Sequence, residues 1–129
     1  MARGIEIRAA HFPGRAPIDA YGNGGFRFAD MSHRGSILCL PSGIYGWEPV
    51  APPLPGESDL GRVFAEADAI EVLLLGTGPE LRRIPSDLRA RLKEAGIVSD
   101  PMSTGAAVRT YNVLLAEERA VAAALIAVD

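Results

Sequence analysis

Cysteine is almost absent from this chain. Cys39 stands alone among 129 residues, which excludes an internal disulfide and suits a reducing compartment. It lies in SILCL, an apolar run, and reads as a small buried hydrophobe rather than a nucleophile. Histidine occurs only at His11 and His33, without metal-ligand spacing to each other or to Cys39, so neither a metal nor a cofactor is expected. No apolar run approaches the roughly 20 residues of a membrane span. The opening MARGIEIRAAHFPG lacks the long apolar stretch of a secretion signal. A cytoplasmic chain without membrane insertion is therefore expected. Positive charge is not in excess either, since 13 Lys and Arg face 16 Asp and Glu for a net charge of −3. A general nucleic-acid binder needs a basic footprint, so nucleic acid is not expected as a partner.

Apolar residues make up 48% of the chain, enough for a proper core in one domain spanning 1–129, with 1–17 as a loosely packed arm. The two halves differ in texture. Up to residue 56, short apolar runs such as IDAY, GFRF, SILCL and IYGW sit between turn residues. Asn23-Gly24 signals a hairpin, because a tight turn needs positive φ. Pro41-Ser42-Gly43 turns the chain between the next pair of runs. EPVAPPLPGES, 48–58, carries four prolines and reads as a stiff connector.

The second half alternates. Leu60, Val63, Phe64 and Ala67 recur at helical spacing over 58–67. A strand follows at 70–75. Leu81, Ile84, Leu88, Leu92 and Ala95 mark a helix that Gly96 stops, with Arg89, Arg91, Lys93 and Glu94 on its solvated side. A short strand covers 96–100. A helix then runs from about Ser103 to Ala116, with Ser103 or Thr104 as its N-cap. The final AVAAALIAV, 120–128, fits a helix or a buried strand. This alternation predicts a three-layer α/β domain: a central mixed, mostly parallel sheet, helices on it, and an added antiparallel β element.

Ligands of open α/β sheets bind beyond the carboxyl ends of parallel strands. Here that edge would carry Gly76-Thr77-Gly78, the end of EVLLLGTGPE, and the segment from Ser99 to Gly105. Glycines let backbone amides approach a ligand, and a helix start at Ser103 and Thr104 favours an anion. The competing reading is a buried strand that must turn tightly. Gly105, Arg109 and Asn112 share one helical stripe, which would bring a guanidinium toward this loop for a carboxylate or phosphate. The structural alternative pairs Arg109 with an acid and lets Asn112 tie down a loop carbonyl. Trp47 is either partly buried core or an interface residue. His33, in DMSHRGS, reads as part of an exposed loop. No phosphate-binding Gly-x-x-x-x-Gly-Lys-Ser/Thr, no Gly-x-Ser-x-Gly elbow and no carboxylate pair occurs.

The segments GSILCLPSGIYGW, VLLLGTG, LRARLKEAGI and MSTGAAVRTYNVLLAEERAVAAALI together resemble a family of small domains of unknown function. That family is widespread in bacteria and archaea. Its eukaryotic relatives include a mitochondrial respiratory complex I assembly factor and an adipogenesis-associated protein. The similarity runs from about Ile18 to Ile126. It implies a three-layer fold with a central mixed sheet and places 120–128 as a strand. It implies no enzyme activity, and for the mitochondrial relative a scaffolding role. The family's recurrent segments fall on Gly76-Thr77-Gly78, Met102 to Thr104 and Arg109 to Asn112. The first reading is thus a non-catalytic binding or assembly module with a protein partner, in which Trp47 is the interface candidate. The alternative is a small-molecule or anion binder, or an enzyme, using Gly76, Thr77, Gly78, Ser103, Thr104, Arg109 and Asn112.

Overall fold

The computed structural model describes residues 12–49 and 56–129. His11, most of the expected N-terminal arm and the proline-rich centre of the connector lie outside these residues. Nine strands and three helices follow in chain order among the described residues. They are β1 (Phe12–Pro13), β2 (Ala20–Gly22), β3 (Gly25–Phe28), β4 (Met31–Arg34), β5 (Ser36–Leu40), β6 (Gly43–Trp47), α1 (Gly61–Ala65), β7 (Val72–Gly76), α2 (Ser86–Glu94), β8 (Val98–Met102), α3 (Thr104–Ala116) and β9 (Val121–Leu125). Short 3-10 turns flank α1 at Glu57–Leu60 and Ala67–Ala69.

Six strands form the main sheet in the order β1-β6-β5-β9-β7-β8, and β2-β3-β4 form a separate small sheet. The main sheet is mixed, but its parallel part is smaller than expected. Only β9-β7 and β7-β8 pair in parallel; the three ladders from β1 to β9 are antiparallel. The early apolar runs are the reason: SILCL and IYGW extend the sheet as an antiparallel hairpin. Part of the expected N-terminal arm is also fastened. Phe12 and Pro13 pair with Ile44 and Gly43, and Ala16 is buried.

Period-two alternation sends side chains of each strand to both faces. One face gathers Leu38, Leu40, Leu73, Leu75, Ala122 and Ala124 beneath α1 and α2. From α2, Leu88 and Leu92 enter this layer, each burial contributing roughly 1.5–3 kcal/mol. The other face gathers Ile37, Cys39, Ile44, Leu74, Ala123 and Leu125 beneath α3 and the small sheet, which contributes Phe26 and Phe28. Three layers result. Within AVAAALIAV, Val121–Leu125 form the strand β9, at the centre between β5 and β7. Alanine has low strand propensity, but both faces of this strand are covered, and small side chains let the layers close on it.

Two hairpins build the small sheet. Asn23 and Gly24 have φ of 53° and 80°, as the expected tight turn requires. Ala29 and Asp30, at 50° and 63°, make a second turn of the same kind. Met31–Arg34 is therefore a strand, and His33 lies half-buried on it instead of in an exposed loop.

At the far edge of the main sheet, β8 pairs with β7 alone. The Val98 N–H donates to the Glu71 carbonyl, and the Met102 carbonyl accepts from Thr77. Backbone groups alternate along a parallel ladder, so those of Ser99 and Pro101 point outward.

Candidate functional site

The crossover β7-α2-β8 lays its helix on one face of the sheet, and β8-α3-β9 lays its helix on the other. The carboxyl ends of β7 and β8 therefore flank a topological switch point, where such sheets open a crevice for ligands. The Gly76-Thr77-Gly78 loop and the start of α3 do meet there, as the sequence predicts.

Their polar groups, however, are engaged with one another. The Gly78 N–H donates to Thr104 Oγ1 at 3.0 Å, and the Thr104 N–H donates to the Gly78 carbonyl at 2.8 Å. Thr104 Oγ1 also donates to the Ile126 carbonyl at 2.7 Å. The Thr77 N–H donates to the Met102 carbonyl at 2.8 Å. Thr77 Oγ1 accepts from the Arg82 N–H at 2.9 Å and lies 2.8 Å from the Glu80 carbonyl and 3.0 Å from that of Met102. Both threonines are buried. The inner part of the crevice is thus laced together by hydroxyls that each replace backbone partners, in the way buried polar groups are satisfied.

The two loop glycines serve different ends. Gly78 has φ of 103°, the conformation that lets the strand stop abruptly. Gly76 ends β7 with ordinary backbone, but a Cβ there would stand 3.0 Å from the Thr104 Cα and from the Leu125 side chain. It is a close-approach glycine that admits α3.

On α3, Ser103 is the N-cap, with Oγ accepting from the Ala106 N–H at 3.3 Å. Thr104, Ala107, Val108 and Tyr111 form the buried stripe. Arg109 consequently points outward and is exposed. It is not the buried charge that a polar, sheet-facing stripe suggests, and it makes no ion pair among the described residues. It borders an open cleft of about 440 Å³ with Ser103, Gly105, Gly78 and Pro79. Tyr21 also lines it, packed so closely on Gly105 that a Cβ would collide with its hydroxyl, as do Val128 and Asp129. Asn112 is not at this cleft's rim. Its Oδ1 accepts from the Ile18 N–H and its Nδ2 donates to the Ile18 carbonyl, both at 2.9 Å.

The remaining candidates are structural in placement. Trp47 is 8% exposed and donates its indole N–H to the Asp59 carbonyl at 2.8 Å, which favours the core alternative. Cys39 is fully buried beside Tyr111; burial pushes both the thiol and the phenol far above their ordinary ranges. Burial lowers the pKa of His33, opposed by a hydrogen bond to the Ser36 backbone. Among the described residues, no group of three or more His, Cys, Asp or Glu gathers in a metal-binding arrangement.

One surface has no counterpart in the sequence reading. The small sheet carries a second open cleft, of about 450 Å³, beside Arg27, Ser32 and Arg34. The GFRF alternation already sends Arg27 opposite to its phenylalanine neighbours. The strand holding Arg34 is hidden in the sequence because Ala29-Asp30 has no glycine or asparagine to signal its tight turn.

Known proteins supply the wider context. Residues 18–126 match the family described as Protein of unknown function (DUF498/DUF598). An uncharacterized protein of Rhodobacter capsulatus is 40% identical over 119 residues, 92% of this chain and 90% of its own. The NADH dehydrogenase [ubiquinone] 1 alpha subcomplex assembly factor 3 of Danio rerio is 32% identical over 109 residues. This chain covers 63% of that protein's length, and 84% of the chain is matched. Among solved structures, a Bartonella henselae protein described as an outer membrane protein superposes with a TM-score of 0.89 at 70% identity, over 92% of this chain and 100% of that one. An NMR structure from Rhodopseudomonas palustris gives 0.81 at 48% identity, over 100% and 93%. A Bordetella pertussis protein described as an Mth938-like domain gives 0.65 at 26%, over 87% and 85%. No helix among the described residues is long and apolar enough to cross a membrane. With the matched region extending over nearly all the described elements, the chain belongs to the DUF498/DUF598 family of proteins of unknown function.

Proposed function

We propose that this domain is a non-catalytic binding or assembly module that works through contacts with other proteins. The observation that carries the reading is the laced crevice. At the carboxyl ends of β7 and β8, Gly78 and Thr104 engage each other, Thr104 also holds the Ile126 carbonyl, and Thr77 is engaged by the backbone of Met102, Glu80 and Arg82. The assembly-factor relatives support the same direction, and a role in building a respiratory complex is the specific form it takes by analogy. The lone buried thiol of Cys39 suits a cytoplasmic setting. Affinity capture from the native organism, with mass spectrometry, tests the reading. A reproducible partner in stoichiometric amount is expected. Absence of any such partner, together with turnover of a small molecule, would overturn it.

A second reading rests on Arg109, whose guanidinium borders an open cleft without an ion-pair partner among the described residues. An anion site there would use Arg109 and the start of α3. The discriminating measurement is thermal melting of the wild type and Arg109→Met, each with and without phosphate or citrate. The assembly reading expects no anion-dependent shift in either protein, and little loss of stability from an exposed substitution. Stabilisation of the wild type that vanishes in the variant would establish the anion site instead.

A further inference from the structure

The outer face of the small sheet carries a charge pattern that the assembly reading leaves unused. Directly paired residues of antiparallel strands point to the same side. The registers Ala20 to Arg27 to Ser32, and Gly22 to Gly25 to Arg34, therefore collect six residues on one face. The opposite face turns Phe26 and Phe28 into the core. On the outer face Ala20, Arg27, Ser32 and Arg34 are exposed, Gly22 is half-buried and Gly25 is buried.

Its floor is nearly free of side chains. Gly22, Gly25 and Ala20 supply one methyl between them, and Ser32 adds a hydroxyl. Arg27 and Arg34 rise from this floor on adjacent strands in diagonal register, which sets their Cβ atoms roughly 7 Å apart. Neither makes an ion pair among the described residues. In a chain where acids outnumber bases by 16 to 13, two neighbouring cations left without an acid form a local positive field against the overall charge.

The spacing selects the kind of partner. An extended peptide repeats its side chains on one face about every 6.6–7 Å, two residues along. Carboxylates at alternate positions would thus fall opposite the two guanidiniums, each suited to bidentate pairing. The bare floor lets the peptide backbone lie close to the sheet. On this face, among the described residues, a nucleic acid would meet only these two cations, in a chain of net charge −3, too few for a phosphate backbone.

We propose that the outer face of β2-β3-β4 docks an extended acidic segment of a partner protein, with Arg27 and Arg34 each taking one carboxylate. The proposal rests on the assembly reading and names its surface. The test is amide chemical-shift mapping of isotopically labelled protein at physiological salt. The probes are a synthetic peptide alternating glutamate with threonine, a lysine–threonine counterpart, and a single-stranded oligonucleotide. The glutamate peptide is expected to give saturable shifts at Ala20, Gly25, Ser32 and Arg34. Arg27→Glu with Arg34→Glu should weaken its binding about tenfold or more, and the paired Gln variants should give a smaller loss. No saturable shift on this face, an equal response to the lysine peptide, or a stronger response to the oligonucleotide would overturn the proposal. A partner recovered by affinity capture and still held by the double Glu variant would overturn this surface while leaving the assembly reading standing. Recovery of no partner at all, together with turnover of a small molecule, would overturn both.

Discussion

Thr104 places one hydroxyl between three segments distant in sequence: the β7 loop, its own helix start and the residue after β9. Thr104→Val keeps the shape and removes the hydroxyl, stranding the Gly78 N–H and the Ile126 carbonyl. Each buried orphan costs about 1–3 kcal/mol, so urea unfolding should show a loss of roughly 2–6 kcal/mol, and Thr104→Ser should recover most of it. A loss far below this would mean that the crevice is held by packing alone. His33 gives a second residue-scale prediction. Burial favours its neutral form, so its folded pKa lies below the ordinary 6.5. The unfolded chain then binds the proton more readily. Stability is fully present above about 6.5 and declines as pH falls through that value toward the folded pKa. His33→Gln should flatten this part of a stability–pH curve; an unchanged slope would assign it to other groups. The sequence narrows the cap to Ser103 or Thr104 and the turn glycine to Gly76 or Gly78, because their geometry is local. It did not announce the outward aim of Arg109, because a helical stripe says which residues align but not which stripe meets the sheet.

Elements in this fold are joined by side chains that imitate backbone. Asn112 offers an acceptor and a donor to Ile18, as a neighbouring strand would, and so latches the segment before β2 onto α3. Asn112→Asp replaces the donor with an acceptor facing the Ile18 carbonyl. A loss of about 1.5–3 kcal/mol is expected, with faster hydrogen exchange in β2 and β3 than in β7 or β9. Uniform exchange across all strands would show that the latch has no local effect. Helices α2 and α3 and strands β7 and β8 were legible because each has apolar periodicity and punctuation of its own. Strand β4 was not, since Ala29-Asp30 adopts positive φ without glycine or asparagine to signal it. Strand β9 is set by being covered on both faces, a property of the neighbours rather than of nine mostly small residues.

The whole molecule closes around Cys39, which lies in the sheet interior with no exposed surface. Local fraying cannot reach it, so thiol labelling should report global opening. Under native conditions the rate should be slow and should rise with urea at the slope of global unfolding. Rapid labelling insensitive to urea would show that β5 opens independently. The overall three-layer class was readable from the alternating second half, whereas the share of antiparallel pairing was not, because strand partners depend on contacts far apart in sequence. One feature of the main sheet bears on how copies of the molecule treat one another. Pro101 faces outward from β8 and has no N–H, so that border presents the Ser99 N–H as its one backbone donor among two carbonyls. A second sheet arriving there finds too few donors to continue the ladder. An open border with the exposed apolar side chain of Val98 would otherwise template fibre growth, and a single imino acid keeps crowded copies from zipping together.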